Sequence, residues 1–375
     1  MEIKVPLEQL QYAMGKLIPV VKMNTDNVTS MILIDATKEF VEFCGTDGAT
    51  NISITLRGCE IVQPGKLLIR MKDIRGYISK FVTLKDGYGT SLFTIKSDDV
   101  VAVFTAKTMF ENKRVSQRTL KLPVFSSVIF PTVKRLKDPQ LILNSSILKE
   151  GIGRVLHCVN PIEIRTAMTG VYIEVHNDKI IFVGANGVKL VCAELPIVAE
   201  IPKAAYIMRY NFASLLRAVL EADTQVFISF EGKDVYLECN DIYIVGSLLL
   251  NETYPDFRKA LTSFDKTVVL PRYDLLDSLA ALTPLLDPDD TSRVSMEFKG
   301  DEFILSTDKS RSVNKVDKPF EHSFTVDVNG ESLYSILNDF VGVDLTICFI
   351  NDKKPIIFKS EIDKHTALLA VIKRR

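Results

Sequence analysis

A hairpin pattern that occurs three times along the chain is the sequence feature that most constrains the fold. It consists of an apolar strand, a short turn and a second apolar strand. The clearest copy spans residues 179–195 with Asn186-Gly187 at the turn, and a second spans residues 40–56 with Asp47-Gly48 at the turn. A degenerate third copy spans residues 302–317. Asn-Gly and Asp-Gly favour the positive φ angles of short hairpin turns. A spacing of about 130 residues predicts one module repeated three times.

Each predicted module contains a smaller unit twice, and that unit runs from a strand through a helix to further strands. The helices are indicated by apolar residues at helical spacing. No alternation of strands and helices indicates a parallel sheet, so the predicted fold class is α+β, with antiparallel sheets and two helices on one face of each domain. Boundaries near Lys137 and Phe264 predict domains 1–137, 138–264 and 265–375. The predicted helices are residues 7–21, 72–81, 146–159, 209–220, 273–286 and 331–340.

The composition is ordinary for a soluble globular protein and limits the possible functions. The chain has 375 residues, of which 47% are hydrophobic and 25% charged, and its net charge is −1. Any affinity for nucleic acid must therefore come from local basic patches. Six scattered cysteines without a CxxC pair favour buried thiols in a reducing compartment. The sequence shows no signal segment and no apolar run of about 20 residues, so we expect a cytoplasmic protein.

The motifs of enzymes are missing from the sequence. GTDG and GANG lack the Lys-Ser/Thr of a phosphate-binding loop and precede strands, so hairpin turns are the better interpretation. The run 287–290, DPDD, contains a proline and favours a solvated acidic turn over a metal site. We predict no catalytic residue, no metal site and no cofactor. The four histidines are isolated from one another in the sequence: His157, His176, His322 and His365.

Basic residues recur on the predicted helices of the first two modules. A lone cation on a helix is usually solvated surface, whereas recurrence on equivalent helices favours a shared surface that faces phosphates. The third module breaks the pattern, since Arg272 there is opposed by Asp274 and Asp277. Contacts of this kind would not depend on DNA sequence. The candidates for DNA contact are Lys16, Lys22, Arg70, Lys72, Arg75, Lys80, Lys149, Arg154, Arg209 and Arg217.

Five motifs in this order and spacing resemble those of the bacterial-type replicative sliding clamps, the beta subunits of bacterial replicative polymerases. The motifs are FCGTDGATNISI (43–54), RTAMTGVYIEV (165–175), GANGVKL (184–190), YPDFRKAL (254–261) and ALLAVIK (367–373). YPDFRKAL is the most specific of them, and the resemblance covers essentially the full length. It implies a head-to-tail homodimer that forms a closed ring around duplex DNA, with twelve helices lining the pore. It also implies the replicative DNA polymerase and the clamp loader as partners.

The resemblance implies a groove between domains two and three that receives short hydrophobic peptides. An apolar trough with a few polar groups on its rim suits that task, although from the residues alone plain domain core is the preferred interpretation. The implied groove residues are Met168, Ala185, Gly187, Val188, Lys189, Leu190, Pro255, Lys259, Ala260, Asn329, Ser332, Pro355, Leu368, Leu369, Ala370, Val371 and Ile372.

The chain departs from the family pattern at several groove positions. Asn186 and Lys189 stand where the family commonly has Asp and Arg, and a lysine lacks the fork geometry of arginine. Val371 and Lys373 replace a proline and an arginine near the end, and the basic tail 373–375 is unusual. We therefore expect a peptide preference unlike that of cellular clamps, and the divergence would suit a bacteriophage or another mobile replicon.

The resemblance also implies where the ring closes. Leu285 and Leu286 would meet Leu120 and Leu122 of the first module of a second subunit, and the contact would cover an exposed strand edge. The alternative function from a different class is a monomeric α+β enzyme or carbohydrate-type binding module with internal repeats. Size in solution discriminates between the two, because a clamp is a dimer.

Overall fold

The computed structural model describes residues 1–82, 89–110, 114–135, 138–198, 204–262, 264–316, 319–321, 323–360 and 362–373. Lys137, His322 and the last two residues of the basic tail, Arg374 and Arg375, lie outside these ranges. The chain divides into two compact units. Unit 1 comprises Met1–Ser146 and Leu215–Leu248, and unit 2 comprises Ile147–Ser214 and Leu249–Arg375.

The described elements confirm the α+β class. In the first part of the chain they are β1 (Glu2–Pro6), α1 (Leu7–Leu17), β2 (Met31–Ala36), β3 (Val41–Thr46), β4 (Asn51–Leu56), β5 (Glu60–Gln63), β6 (Gly65–Arg70), α2 (Met71–Ile78), β7 (Gly89–Ser97), β8 (Val101–Met109) and β9 (Val115–Pro123). The middle part contains β10 (Leu141–Asn144), α3 (Ser145–Val155), β11 (Gly170–Val175), β12 (Lys179–Ala185), β13 (Lys189–Pro196), β14 (Ala204–Arg209), α4 (Tyr210–Val219), β15 (Gln225–Glu231), β16 (Asp234–Cys239), β17 (Ile242–Ser247) and α5 (Phe257–Thr262). The last part contains β18 (Lys266–Pro271), α6 (Arg272–Leu282), β19 (Arg293–Lys299), β20 (Glu302–Ser306), β21 (Arg311–Lys315), β22 (Phe324–Asn329), α7 (Gly330–Asp339), β23 (Asp344–Phe349), β24 (Ile356–Lys359), β25 (His365–Leu369) and β26 (Val371–Ile372).

Each unit contains one eight-stranded and one five-stranded antiparallel sheet. The eight-stranded sheets run β6-β2-β3-β4-β17-β16-β15-β10 in unit 1 and β14-β11-β12-β13-β25-β24-β23-β18 in unit 2. The same succession of hairpins and helix-linked strands builds both, so the two sheets have the same topology. The five-stranded sheets are β5-β1-β7-β8-β9 in unit 1 and β21-β20-β19-β22-β26 in unit 2.

The three repeated hairpins share one turn geometry, which confirms the pattern seen in the sequence. At Asp47, Asn186 and Thr307 the backbone N–H donates to the carbonyl three residues later, over 3.2, 3.1 and 2.8 Å. The side-chain oxygen of each of these residues accepts hydrogen bonds from the backbone N–H groups two and three positions later. Asn, Asp and Thr are suited to this local bonding.

The turn differs in one respect from the short turn that the sequence predicts. It spans four residues, and only its second residue has a positive φ, +93° at Gly48 and +81° at Gly187. Glycine takes that conformation without steric cost. In the third hairpin the second residue is Asp308, whose φ is not positive, and this explains why that copy looks degenerate in the sequence.

Several predicted helices end earlier than their apolar spacing indicates. Residues 146–159 are helical only to Val155 and continue as a 3-10 turn, Leu156–Cys158. Residues 273–286 likewise end at Leu282 and continue as the 3-10 turn Thr283–Leu285, because Pro284 follows. The YPDFRKAL motif, to which the sequence analysis assigns no element, contains the short helix α5.

Candidate peptide-binding surface and basic helices

The predicted groove residues of unit 2 converge on the centre of its eight-stranded sheet. Leu190 of β13 lies directly opposite Leu368 of β25, and Leu368 lies opposite Ile357 of β24. Both leucines belong to one apolar cluster with Val183, over which α5 packs through Phe257 and Leu261. Leu368 is 9% exposed. Strand pairing thus joins two of the three distant stretches that the sequence analysis assigned to the groove, and α5 brings the third.

One end of this sheet exposes small and apolar groove residues. The backbone N–H of Ala370 donates to the carbonyl of Val188 over 2.7 Å. Continuing the register of β24 and β25, in which Ile356 pairs with Leu369, places Pro355 opposite Ala370. Gly187 and Val188 are exposed, Val188 by 42%. We call these four residues, Gly187, Val188, Pro355 and Ala370, the sheet-end row.

The strand register divides the predicted groove set between two faces of the sheet. Side chains alternate along a strand, so Lys189 and its cross-strand partner Leu369 lie on the face opposite Leu190 and Leu368. Leu369 is fully buried, and Lys189, 9% exposed, donates from Nζ to Ser335 Oγ of α7 over 3.0 Å. These two residues therefore lie behind the predicted groove rather than in it.

The remaining predicted groove residues occupy other elements of unit 2. Met168 is buried in the 3-10 turn Thr166–Thr169, which leads into β11. Asn329 caps α7 by accepting the backbone N–H of Ser332 over 2.8 Å. Val371 and Ile372 pair with β22 of the five-stranded sheet. Ala185 lies opposite Leu190, and Pro255, Lys259 and Ala260 are exposed on and beside α5.

An ion pair that the sequence analysis missed fixes α5 to the sheet. Arg258 Nη2 lies 2.6 Å from Glu174 Oε2, and the carboxylate, on β11, is only 2% exposed. Tyr172 Oη donates to the same oxygen over 3.1 Å, and the Tyr172 ring stacks on Tyr254 at 4.9 Å. A single Glu among the apolar residues of VYIEV and an Arg inside YPDFRKAL were the available signals. Buried carboxylates need partners.

Arg154 is a predicted DNA contact whose cation is already engaged inside unit 2. Its Nη1 lies 2.8 Å from His365 Nδ1 and its Nη2 lies 2.7 Å from Glu150. Burial, together with the charge of Arg154, lowers the pKa of His365 to about 4. In unit 1, Lys16 Nζ donates to the carbonyl of Val219 over 2.6 Å and lies 3.1 Å from Glu221.

The other predicted DNA-contact residues differ in exposure and partners. Arg70 and Lys72 both lie 3.6 Å from Asp26, and Lys22 donates to the carbonyl of Asp47. Lys149 is half-buried on α3. The exposed cations of the set on or next to helices are Lys72, Arg75, Lys80, Arg209 and Arg217.

Two of the predicted ring-closure residues lie on an edge strand of a five-stranded sheet, and the other two follow α6. Leu120 and Leu122 are in β9, the edge strand of the unit 1 sheet, and Leu122 is buried. Leu285 ends the 3-10 turn after α6 and is 38% exposed, whereas Leu286 packs beside Gly330. In unit 2, β21 is an edge strand of the five-stranded sheet.

One cluster in unit 2 superficially resembles a catalytic Cys-His-Asp arrangement. His157 Nε2 lies 3.0 Å from Cys158 Sγ and 2.8 Å from Asp339 Oδ2. A catalytic histidine contacts its nucleophile and its carboxylate through different ring nitrogens, and here one nitrogen faces both. Cys158 is fully buried, and burial raises the pKa of its thiol to about 12. This geometry does not activate the thiol.

Two further negative findings apply to the described part of the chain. No cluster of three or more His, Cys, Asp or Glu side chains there could hold a metal ion. Among the same residues, no helix is long and apolar enough to cross a bilayer.

Comparison with known proteins agrees with this architecture. Residues 142–256 match the family model for the central domain of the DNA polymerase III beta subunit. The beta sliding clamp of Chlamydia muridarum is 23% identical over 219 residues, which is 58% of this chain and 58% of that relative's length.

Two solved structures match over 100% of both chains. They are the DNA polymerase sliding clamp of Bacillus subtilis, with a TM-score of 0.88 and 15% identity, and the beta clamp of Helicobacter pylori bound to a DNA ligase peptide, with a TM-score of 0.81 and 16% identity. The family match thus assigns residues 142–256 to the central domain of the DNA polymerase III beta subunit, and over its full length the chain shares the fold of these sliding clamps.

Proposed function

We propose that this protein is a processivity factor that closes as a homodimeric ring around duplex DNA and tethers the replicative polymerase. The observation that carries the proposal is the clamp fold over the full length of the chain. Its three repeats are residues 1–137, 138–264 and 265–375. The protein works without catalysis in the cytoplasm, and a clamp loader opens the ring.

The proposed DNA contact rests on the exposed cations rather than on the whole predicted set. Lys16 and Arg154 hold neighbouring groups inside their own units, so they support helices. Arg75 and Lys80 in the α2 region, with Arg209 and Arg217 at α4, are the cations free to meet phosphates. Such contacts bind DNA of any sequence and weaken with salt.

Ring closure is supported by the open edges of the five-stranded sheets. β9 offers a nine-residue edge, and β21 offers a second edge with Val313 47% exposed. Exposed edges invite pairing with another chain. A second copy of the chain that covers both of these edges in turn closes the dimer into a ring.

Partner capture is assigned to the surface around Leu190 and Leu368. The Helicobacter pylori clamp of the same fold holds a DNA ligase peptide. In this chain the proposed peptide places one or two large apolar side chains against these leucines and Pro255, and its backbone crosses the sheet-end row. The apolar cluster below supplies a rigid floor.

A charge at Leu190 tests this assignment. Leu190→Lys places an ammonium group in the apolar trough at a cost of a few kcal/mol to an apolar ligand. We expect the variant to lose stimulation of its polymerase while it remains a folded dimer that retains circular DNA. Val269→Lys, at a position that is 59% exposed on edge strand β18 and outside the predicted groove, controls for the added charge. Full stimulation by a folded Leu190→Lys clamp would show that partners dock elsewhere.

The rival function, a monomeric enzyme or carbohydrate-type binding module, is tested by the size of the protein in solution. Sedimentation at low micromolar concentration should give a mass near twice the 42.0 kDa of the chain. A monomer at that concentration would favour the rival. The buried thiol of Cys158 already weighs against thiol catalysis.

A further inference from the structure

The two eight-stranded sheets allow a residue-by-residue comparison inside one chain. Asp47 of unit 1 and Asn186 of unit 2 begin equivalent turns. The residue after the turn is Asn51 in unit 1 and Leu190 in unit 2. Asn51 pairs with Val245 and Leu190 pairs with Leu368, so Val245 and Leu368 occupy equivalent positions. The same register relates Asp234 to Pro355, since Tyr236 pairs with Val245 as Ile357 pairs with Leu368. The fold at these positions is the same, so differences in side chains there are not imposed by topology.

The equivalents of the sheet-end row in unit 1 are polar or smaller. Ser247 and Asp234 of unit 1 occupy the places of Ala370 and Pro355, and Ala49 occupies the place of Val188. The row of unit 1 therefore offers an extended peptide no apolar contact of the kind that the row of unit 2 provides. Only the row of unit 2 has the character of a peptide site.

Charges beside the two rows also differ. Arg165 lies at one end of the unit 2 row, where its Nη2 is 3.0 Å from the position that a Cβ on Gly187 would take. Lys353 and Lys354 lead directly into Pro355 at the other end, and all three cations are exposed. Their ammonium and guanidinium groups form no ion pair with a side chain in the described part of the chain.

Unit 1 carries the opposite charge around its row. Asp26 takes the place of Arg165, and the two-residue turn Gly232-Lys233 stands where unit 2 has the four-residue loop 351–354. With Lys233, Glu231 and Asp234, the unit 1 row has one cation and three carboxylates, whereas the unit 2 row has three cations and one carboxylate, Asp352. The repeat keeps the strand register and reverses the charge beside it.

We propose that the groove of unit 2 selects partner segments that carry acidic residues on both sides of their apolar anchors. This inference rests on the proposed function of the groove and specifies its ligand. The apolar row binds the centre of an extended segment, while Arg165 at one end and Lys353 and Lys354 at the other attract the flanks. Neighbouring strands are about 4.8 Å apart, so the row from Val188 to Pro355 spans about 10 Å, three residues of extended peptide.

The test uses three fluorescein-labelled peptides with one shared apolar centre and flanks of aspartate, serine or lysine. Their affinity for the intact clamp is measured by fluorescence anisotropy. At about 50 mM salt we expect the aspartate peptide to bind about tenfold more tightly than the lysine peptide, with serine between, because exposed ion pairs are individually weak. At about 0.5 M salt the three affinities should converge.

The decisive variant is Arg165→Asp with Lys353→Gly, which gives position 165 its unit 1 residue and removes one cation from the loop before Pro355. We expect it to lose the preference for aspartate while it binds the serine peptide as before. Lys299→Asp with Lys233→Gly makes the same charge change at exposed sites away from the row and should keep the preference.

Two failures of this experiment have different meanings. Equal binding of all three peptides by the native clamp at low salt, or an unchanged preference in the Arg165→Asp, Lys353→Gly variant, would overturn the charge inference and leave the groove in place. If none of the three peptides binds, the proposed groove itself is wrong, and the inference falls with it.

Discussion

Removal of the Arg258 guanidinium tests whether the ion pair with Glu174 holds α5 against the sheet. Arg258→Met keeps the apolar stem but removes the guanidinium from a carboxylate that is 2% exposed and leaves beside it His176, at 2.9 Å, and the hydroxyl of Tyr172. Breaking a buried pair costs about 3–5 kcal/mol, and because Arg258 is itself 51% exposed, we reduce the expected loss to about 2 kcal/mol. α5 forms one wall of the proposed groove, so we expect peptide affinity to fall as well.

Urea unfolding followed by circular dichroism measures the loss of stability, and anisotropy with an apolar peptide measures the groove. The double variant Glu174→Gln, Arg258→Met has no buried charge to leave unpaired and should recover most of the stability. Lys179→Met, which breaks the exposed pair with Glu194 at 2.7 Å, is the matched control and should cost under about 1 kcal/mol. If the single variant is as stable as the double variant, the buried pair does not act as described.

Three further predictions concern stability, ring closure and DNA. The folded state holds the pKa of His365 near 4, against an ordinary 6.5, so between these values the unfolded chain binds an extra proton and stability falls as the pH drops. Between pH about 7 and about 4, the free energy of unfolding of His365→Gln, measured in urea, should fall by about 3 kcal/mol less than that of the native protein. Parallel curves for the two proteins would contradict this. Leu285→Asp with Leu286→Asp should give folded monomers in sedimentation, and a dimer at low micromolar concentration would refute that interface. Arg75→Glu with Lys80→Glu should weaken DNA retention at low salt without changing the dimer, and unchanged retention would remove α2 from the contact surface.

The repeat and the fold class could be predicted because they depend on local chemistry that recurs in the sequence. Asp47 and Asn186 bond their own backbone in the turn, and Gly48 and Gly187 supply the positive φ, so the pattern is visible without tertiary information. The third copy is weaker in the sequence because Thr307 performs the same bonding and its turn requires no glycine.

The detail of the groove could not be predicted, because it depends on register. A run such as VKLVC does not show which of Lys189 and Leu190 faces α5 and which faces α7. The pairing of β13 with β25 decides it. The role of Arg258 depends on Glu174, which is 84 residues away in the chain. The engagement of Arg154 by His365 is equally non-local, so its position on a helix did not show that this cation already has a partner.

Topological retention on DNA tests the central claim most directly. The clamp is loaded onto nicked circular DNA, and the complex is passed through a sizing column at a salt concentration that dissolves ordinary electrostatic contacts. We predict that the protein stays with the circle and is released when one restriction cut makes the DNA linear. Equal retention on circular and linear DNA, or release from both, would contradict a closed ring around the duplex.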